Sequence, residues 1–387
     1  MRKIKKISII LIIFSLIFVL LYGYFNVKTE LSPVDAMSSS AKSMCVIDKY
    51  SGRILYSKNP YEKLPMASTT KVVTAITVLE HCDDLDEKIV VADEAIGVEG
   101  TSIYLRKDEE IRVIDLLYGL MLRSGNDSAT ALACHVAGGV DEFADMMNET
   151  AEKVGATSSH FTNPHGLDDP DHYTTAYDLS LITAYALGNL TFKEIVSTRN
   201  YVIEATNKSD KRYLTNKNKL LLNLPGCCGV KTGFTSKAGR CLVSALEQDS
   251  STAVCVVLNC GPMFEESSAL LTSAFEEYDF VKLIDKDKEI YNEYIIDESE
   301  GKLYLYAEED FYYPLKKLEM RSIRIKYTVD LDDAKSGDEV GKIEIFLEND
   351  LIKTLKLYTM NKIDKLIDSD TLRINEVLWE DKINEDQ

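Results

Sequence analysis

A serine hydroxyl becomes an effective nucleophile at neutral pH only when a base stands close enough to take its proton. Ser68 and Lys71, three residues apart in MASTTKVVTAITVLE (Met66 to Glu80), offer such a pair, since positions i and i+3 of a helix share a face. The same stretch also reads as an ordinary helix start. Ser68 suits an N-cap, and Val72, Val73, Ile76 and Leu79 fall at the spacing of an apolar helix face. A second Ser-x-x-Lys match, Ser39 to Lys42, lies in a polar linker, so the pattern alone does not decide the chemistry. A lysine acts as general base only when neutral, which needs burial or a second cation close by. Another lysine with a reason to lie in the same cleft is therefore the test of a catalytic pair.

Two later segments meet that requirement. SGND, Ser124 to Asp127, falls between two helical patterns, which puts Ser124 and Asn126 on a loop facing a cleft. KTGFT, Lys231 to Thr235, falls in a strand-like run. Lys231 would supply the second positive charge and Thr232 a hydroxyl. Gly233 leaves room for a ligand backbone to pair with the strand edge. The three elements follow one another as S-x-x-K, S-x-N and K-T-G.

This ordered set resembles the low-molecular-mass penicillin-binding proteins that are serine-type D-alanyl-D-alanine carboxypeptidases. The flanks LPMASTTKVVTA, GVEGTSIYL, MLRSGNDSATALA, FTNPHGL and GVKTGFTSKAGRCLVSA carry the likeness over roughly residues 41–280, and GDEVGKIEIFLENDLI resembles the family's smaller C-terminal β domain. The resemblance implies that Ser68 attacks the penultimate D-alanine carbonyl of a peptidoglycan stem peptide and Lys71 takes its proton. Ser124 would relay a proton to the leaving amine, and Asn126 would hold the peptide amide. Lys231 would set the electrostatics, and Thr232 would bind the terminal carboxylate. The backbone N–H groups of Ser68 and Phe234 would hold the oxyanion. β-Lactams would acylate the same serine, and neither a cofactor nor a metal is implied.

Two features depart from the family pattern. NCGPMFEESS offers no arginine after the strand that follows K-T-G, where some members hold the substrate carboxylate, and the C-terminal tail lacks a basic amphipathic face. Two rival readings arise. A β-lactamase of the same fold would need a Glu-x-x-Leu-Asn type loop, and no such segment lies between Asn126 and Lys231. A catalytically weak wall-binding scaffold would be expected to have lost at least one motif residue. His165, in FTNPHGL, reads as part of a turn over the cleft rather than a base; His81, His135, His160 and His172 read as structural or solvent-facing.

The rest of the chain must position these residues. With 387 residues, 45% hydrophobic and 28% charged, it can fold two or more cored domains. The net charge of -19 argues against nucleic acid or an anionic membrane surface as a partner, since both would repel it. The eight cysteines show no zinc spacing and sit mostly in apolar runs, so they read as small buried side chains. MRKIKK followed by uncharged residues from Ile7 to Phe25 is a signal peptide or an N-terminal membrane anchor, which puts the remainder outside the cytoplasm. Residues 26–40 read as a linker, 41–281 as the catalytic domain, 282–360 as an all-β domain and 361–387 as an acidic tail. Strands at both ends of the catalytic region, with helices between, predict an α+β fold (an α/β sandwich) of the penicillin-binding-protein and β-lactamase type. Helices are expected over Ser68–His81, Val113–Arg123, Asp127–Val136, Val140–Val154, Thr175–Leu187 and SSALLTSAFEEYDF, and a hairpin over MCVIDKYSGRILYSKN.

Overall fold

A computed structural model describes residues 39–288, 305–329, 337–359 and 375–378. The N-terminal apolar run, most of the linker and most of the acidic tail lie outside them. The chain opens with the expected hairpin, β1 (Ser43–Asp48) and β2 (Ile54–Lys58). A 3-10 turn (Ala67–Thr70) leads into α1 (Lys71–His81). A small hairpin, β3 (Lys88–Val90) with β4 (Glu110–Arg112), precedes α2 (Val113–Tyr118) and a π-helical turn (Gly119–Arg123). Helices α3 (Asn126–Ala137), α4 (Val140–Lys153), α5 (Ala176–Ala186) and α6 (Leu190–Ser197) follow. A hairpin of β5 (Asn200–Ile203) and β6 (Arg212–Thr215) and the short α7 (Leu220–Asn223) come next. Then β7 (Cys227–Thr235), β8 (Gly239–Gln248), β9 (Ser251–Leu258) and α8 (Met263–Glu277) complete the first region.

The central sheet is antiparallel, in the order β2-β1-β9-β8-β7. β9 reads STAVCVVL and is buried along its whole length, as a strand must be when both faces of its sheet are covered. The period of two sends Val254 and Val256 to one face, where they join α1 and the other helices, while Cys255 and Val257 meet Leu270, Leu271 and Ala274 of α8. This is the expected sandwich of a sheet between helical layers.

Several boundaries differ from the sequence expectation. α1 is buried from Lys71 to Val78 rather than along one face, because it runs through the middle of the helical layer. Its buried hydroxyls are consequently paired: Thr77 Oγ1 donates to Thr150 Oγ1 at 3.1 Å, and Thr74 Oγ1 to the Pro164 carbonyl at 2.7 Å. The helix expected over Val113–Arg123 is α-helical only as far as Tyr118 and then widens into the π turn. α8 starts at Met263 and stops at Glu277, since Asp279 and Phe280 already belong to a strand. α6 and the two small hairpins are elements that the sequence pattern did not suggest.

Beyond α8 the secondary structure is β apart from one 3-10 turn, among the described residues. β10 (Asp279–Ile284) pairs with β12 (Phe311–Leu315). β11 (Leu305–Ala307), β13 (Ile323–Val329), β14 (Glu339–Leu347), β15 (Asp350–Thr359) and β16 (Asn375–Leu378) form a second antiparallel sheet in the order β11-β15-β14-β13-β16. IRIKYTV alternates with the period of a half-buried strand: Ile323, Ile325 and Tyr327 are buried, against Ile343, Ile345, Leu355 and Leu357. β14 turns into β15 through Glu348 and Asn349, with Asp350 already paired to Leu347. Arg53, between β1 and β2, reaches this region. Its guanidinium donates to the Pro314 carbonyl and pairs with Glu319 at 2.5 Å.

Candidate active site

The 3-10 turn before α1 carries Ser68 at the surface of the cleft, and Lys71 opens the helix behind it. Ser68 is the N-cap of neither element: Met66 precedes the 3-10 turn and Thr70 precedes α1. Lys71 Nζ lies 3.1 Å from Ser68 Oγ, 2.7 Å from Asn126 Oδ1 and 2.6 Å from the His165 carbonyl oxygen. A neutral amine has two N–H donors and one lone pair. Asn126 and His165 present acceptors to two of the three contacts, and the third is a hydroxyl that can give its proton to the lone pair. Burial drives the pKa of Lys71 well below the usual lysine range, and the charges of Lys231 and then Lys217 add to the effect. The second lysine supplied by K-T-G therefore adds to an effect that burial dominates. The other Ser-x-x-Lys match is different: Ser39 Oγ donates to Glu266, and the exposed Lys42 pairs with Glu62 at 2.9 Å.

Ser124 ends the π turn at φ +65° and ψ +36°, a left-handed conformation that holds a non-glycine residue only where its surroundings fix it. Its hydroxyl has no hydrogen-bond partner among the described residues. Asn126 is not on a loop as expected but is the first residue of α3, with Gly125 as N-cap. Asn126 Nδ2 donates to the Glu99 carbonyl at 2.6 Å, which fixes the side-chain amide so that Oδ1 faces Lys71.

Lys231, Thr232, Gly233 and Phe234 lie on β7, the free edge of the sheet. Lys231 is buried, and its Nζ donates to the Thr232 carbonyl at 2.8 Å. Burial first, then Lys217, lowers its pKa to about 7. Phe234 sits opposite Arg240 on β8, and the Arg240 carbonyl accepts from Cys260 N–H on the far side of that strand. In an antiparallel pair both polar groups of a residue point the same way. Arg240 thus turns its backbone away from β7, and Phe234 N–H points outward from the free edge. Gly233 backs directly onto the serine turn: a Cβ there would lie 2.9 Å from Met66 O and 3.1 Å from Ser68 N. Gly233→Ala should push edge and turn apart and lower β-lactam acylation by about tenfold, the equivalent of roughly 1.4 kcal/mol. Acylation at the native rate would show that the contact has no catalytic consequence.

Structure adds residues that motif reading did not single out. Asp127 accepts Ser102 Oγ at 2.5 Å and the N–H groups of Ile103 and Leu105 at 3.1 Å, so it shapes the loop beside Asn126. Arg212 holds the same loop through the Ile103 carbonyl at 2.9 Å and pairs with the fully buried Glu109 at 2.7 Å. Burial opposes the charge on Glu109, but bonds from Arg212 and Thr206 outweigh it and its pKa falls below the usual range. A buried aspartate directly after S-x-N was the available signal; the Arg212–Glu109 pair had none. His165 serves through its backbone carbonyl, while its ring, held neutral by burial with a pKa of about 3, lies outside the proton path to Lys71. All eight cysteines are free thiols. No helix among the described residues is long and apolar enough to cross a membrane.

Comparison with known proteins agrees with this geometry. The family profile described as D-alanyl-D-alanine carboxypeptidase matches residues 28–261, more than half of the chain, and that of the penicillin-binding protein 5 C-terminal domain matches 278–365. D-alanyl-D-alanine carboxypeptidase DacF of Bacillus subtilis is 32% identical over 251 residues, covering 63% of this chain and 64% of that relative. DacC of Escherichia coli is 29% identical over 353 residues, covering 86% of each. Penicillin-binding protein 5 from Haemophilus influenzae superposes with a TM-score of 0.71 at 27% identity, covering 85% of this chain and 98% of that one. The chain belongs to the D-alanyl-D-alanine carboxypeptidase family, and its catalytic-type sheet-and-helix sandwich is followed by that family's C-terminal β domain.

Proposed function

We propose that the protein removes the terminal D-alanine from peptidoglycan stem peptides through an acyl-enzyme on Ser68, outside the bacterial cell. The observation that carries this reading is the setting of Lys71 Nζ, with carbonyl acceptors for two N–H groups and Ser68 Oγ at its third position. Lys71 takes the Ser68 proton as Oγ attacks the penultimate D-alanine carbonyl. The oxyanion forms between Ser68 N–H and the outward-facing N–H of Phe234. Each such donor typically contributes about 3–4 kcal/mol to transition-state stability. The substrate backbone pairs with the β7 edge, its terminal carboxylate meets Thr232 in the field of Lys231, and Asn126 holds its amide. Ser124 passes a proton to the leaving D-alanine, and water then hydrolyses the ester. β-Lactams acylate Ser68 by the same attack.

The division at about residue 281 makes residues 282–360 a spacer between the catalytic part and the membrane, held against it by Arg53. The uncharged run from Ile7 to Phe25 serves as signal or anchor. The test is D-alanine release from a soluble peptide ending in D-Ala-D-Ala, with and without benzylpenicillin. Release that stops on stoichiometric, slowly reversed acylation is expected. Rapid penicillin turnover without D-alanine release would instead assign a β-lactamase.

A further inference from the structure

The peptide bond between Ala67 and Ser68 holds one of the two oxyanion donors. A trans peptide is planar, so its C=O and N–H point in opposite directions. Whatever fixes the Ala67 carbonyl also aims the Ser68 N–H. Ala67 sits at φ +51°, where a side chain is strained and the backbone stays only if neighbours hold it. Thr70 Oγ1 donates to the Ala67 carbonyl at 2.9 Å. The same oxygen lies 2.8 Å from His172 Nε2, and His172 Nδ1 accepts Thr162 N–H at 3.0 Å. An imidazole whose Nδ1 accepts carries its proton on Nε2. His172 therefore donates to Thr70, which leaves the single threonine hydrogen for Ala67. Both side chains are buried, with His172 only 3% exposed. Gly166 closes the carbonyl from another side: a Cβ there would stand 2.0 Å from Ala67 O.

We infer that His172 is a positioning residue which, through Thr70, locks the Ala67–Ser68 peptide plane and so aims the Ser68 N–H at the oxyanion. The inference rests on the reading of Ser68 as nucleophile. Burial also keeps the ring neutral, with a pKa pushed down to about 4, so the donor arrangement persists at working pH.

The test is rapid-mixing acylation by a fluorescent penicillin, which separates non-covalent binding from the acylation rate constant. Thr70→Val and His172→Leu should each lower that rate constant about 10- to 100-fold while binding changes less than about twofold. The double variant should be no slower than Thr70→Val alone, and His172→Gln, which keeps an N–H near the Nε2 position, should recover most of the loss. Thr70→Val conserves shape, so it decides the matter if His172→Leu does not fold. Native rates in the variants, or losses that multiply in the double variant, would overturn the inference while leaving the Ser68 reading intact. A native protein that takes up no penicillin would overturn both.

Discussion

Replacing Ser68 by alanine should reduce D-alanine release at least about 10⁴-fold and abolish covalent labelling by penicillin, with the fold unchanged. Removing a nucleophile from a set that acts as a unit costs nearly the whole rate enhancement. The structural cost is small because Ser68 Oγ has one hydrogen-bond partner among the described residues, Lys71 Nζ at 3.1 Å, and Ser68 is partly exposed. Stability should therefore stay within about 0.5 kcal/mol of the native value, as for surface substitutions. The measurement pairs D-alanine assay with thermal melting and intact-mass analysis after penicillin treatment. A labelled Ser68→Ala protein would mean that another residue is the nucleophile, and Ser124 would then be the first to replace.

Lys71→Met should cost about 10²–10⁴-fold in acylation, the range for losing a general base. The pH dependence has a definite sign. Lys71 must be neutral to act, so acylation rises with pH as its proton leaves. Burial, then the Lys231 charge, hold its pKa well below the usual lysine range, which moves that acid limb down in pH. Lys231→Ala removes one of those charges, so the acid limb should move to higher pH while carboxylate recognition also weakens. An acid limb that stayed in place or moved down would contradict the role given to Lys231. Stability follows the same linkage. Above the depressed folded-state pKa and below about 10.4, the unfolded chain binds the proton that folded Lys71 refuses. Native stability should therefore gain from this group as pH rises through that window, and Lys71→Met should flatten the rise in denaturant titrations. An unchanged slope would mean that Lys71 keeps its proton on folding.

How the two lysines reach these states shows where sequence reading stops. That Lys71 needed burial or a second cation followed from elementary acid–base chemistry, and Lys231 in K-T-G was legible as a source of the cation. The burial that dominates both shifts was not legible. It comes from α1 running through the centre of the helical layer, whereas VVTAITVLE read as one apolar face. The three motifs named Ser68, Lys71, Ser124, Asn126, Lys231, Thr232 and Gly233 because local chemistry and local order are properties of the chain, and the family resemblance added Phe234. The alternating strands, the hairpin through Glu348 and Asn349, and the buried faces of β13 were also local, set by a period of two.

What only tertiary structure decided are relations between segments distant along the chain. Asn126 turned out to start a helix, with its amide fixed by the Glu99 carbonyl. The His165 backbone, rather than its ring, meets Lys71. Arg212 reaches a buried Glu109 that carries no motif, and His172 reaches Thr70 across the base of the serine turn. Such contacts depend on which loops packing brings together, and a hydrogen-bonding side chain looks the same in sequence whether it faces water or a catalytic peptide. The sequence by itself named the candidate residues, with the reaction implied by their resemblance to a family; the fold decided the burial that shifts the lysines and the direction in which each donor points.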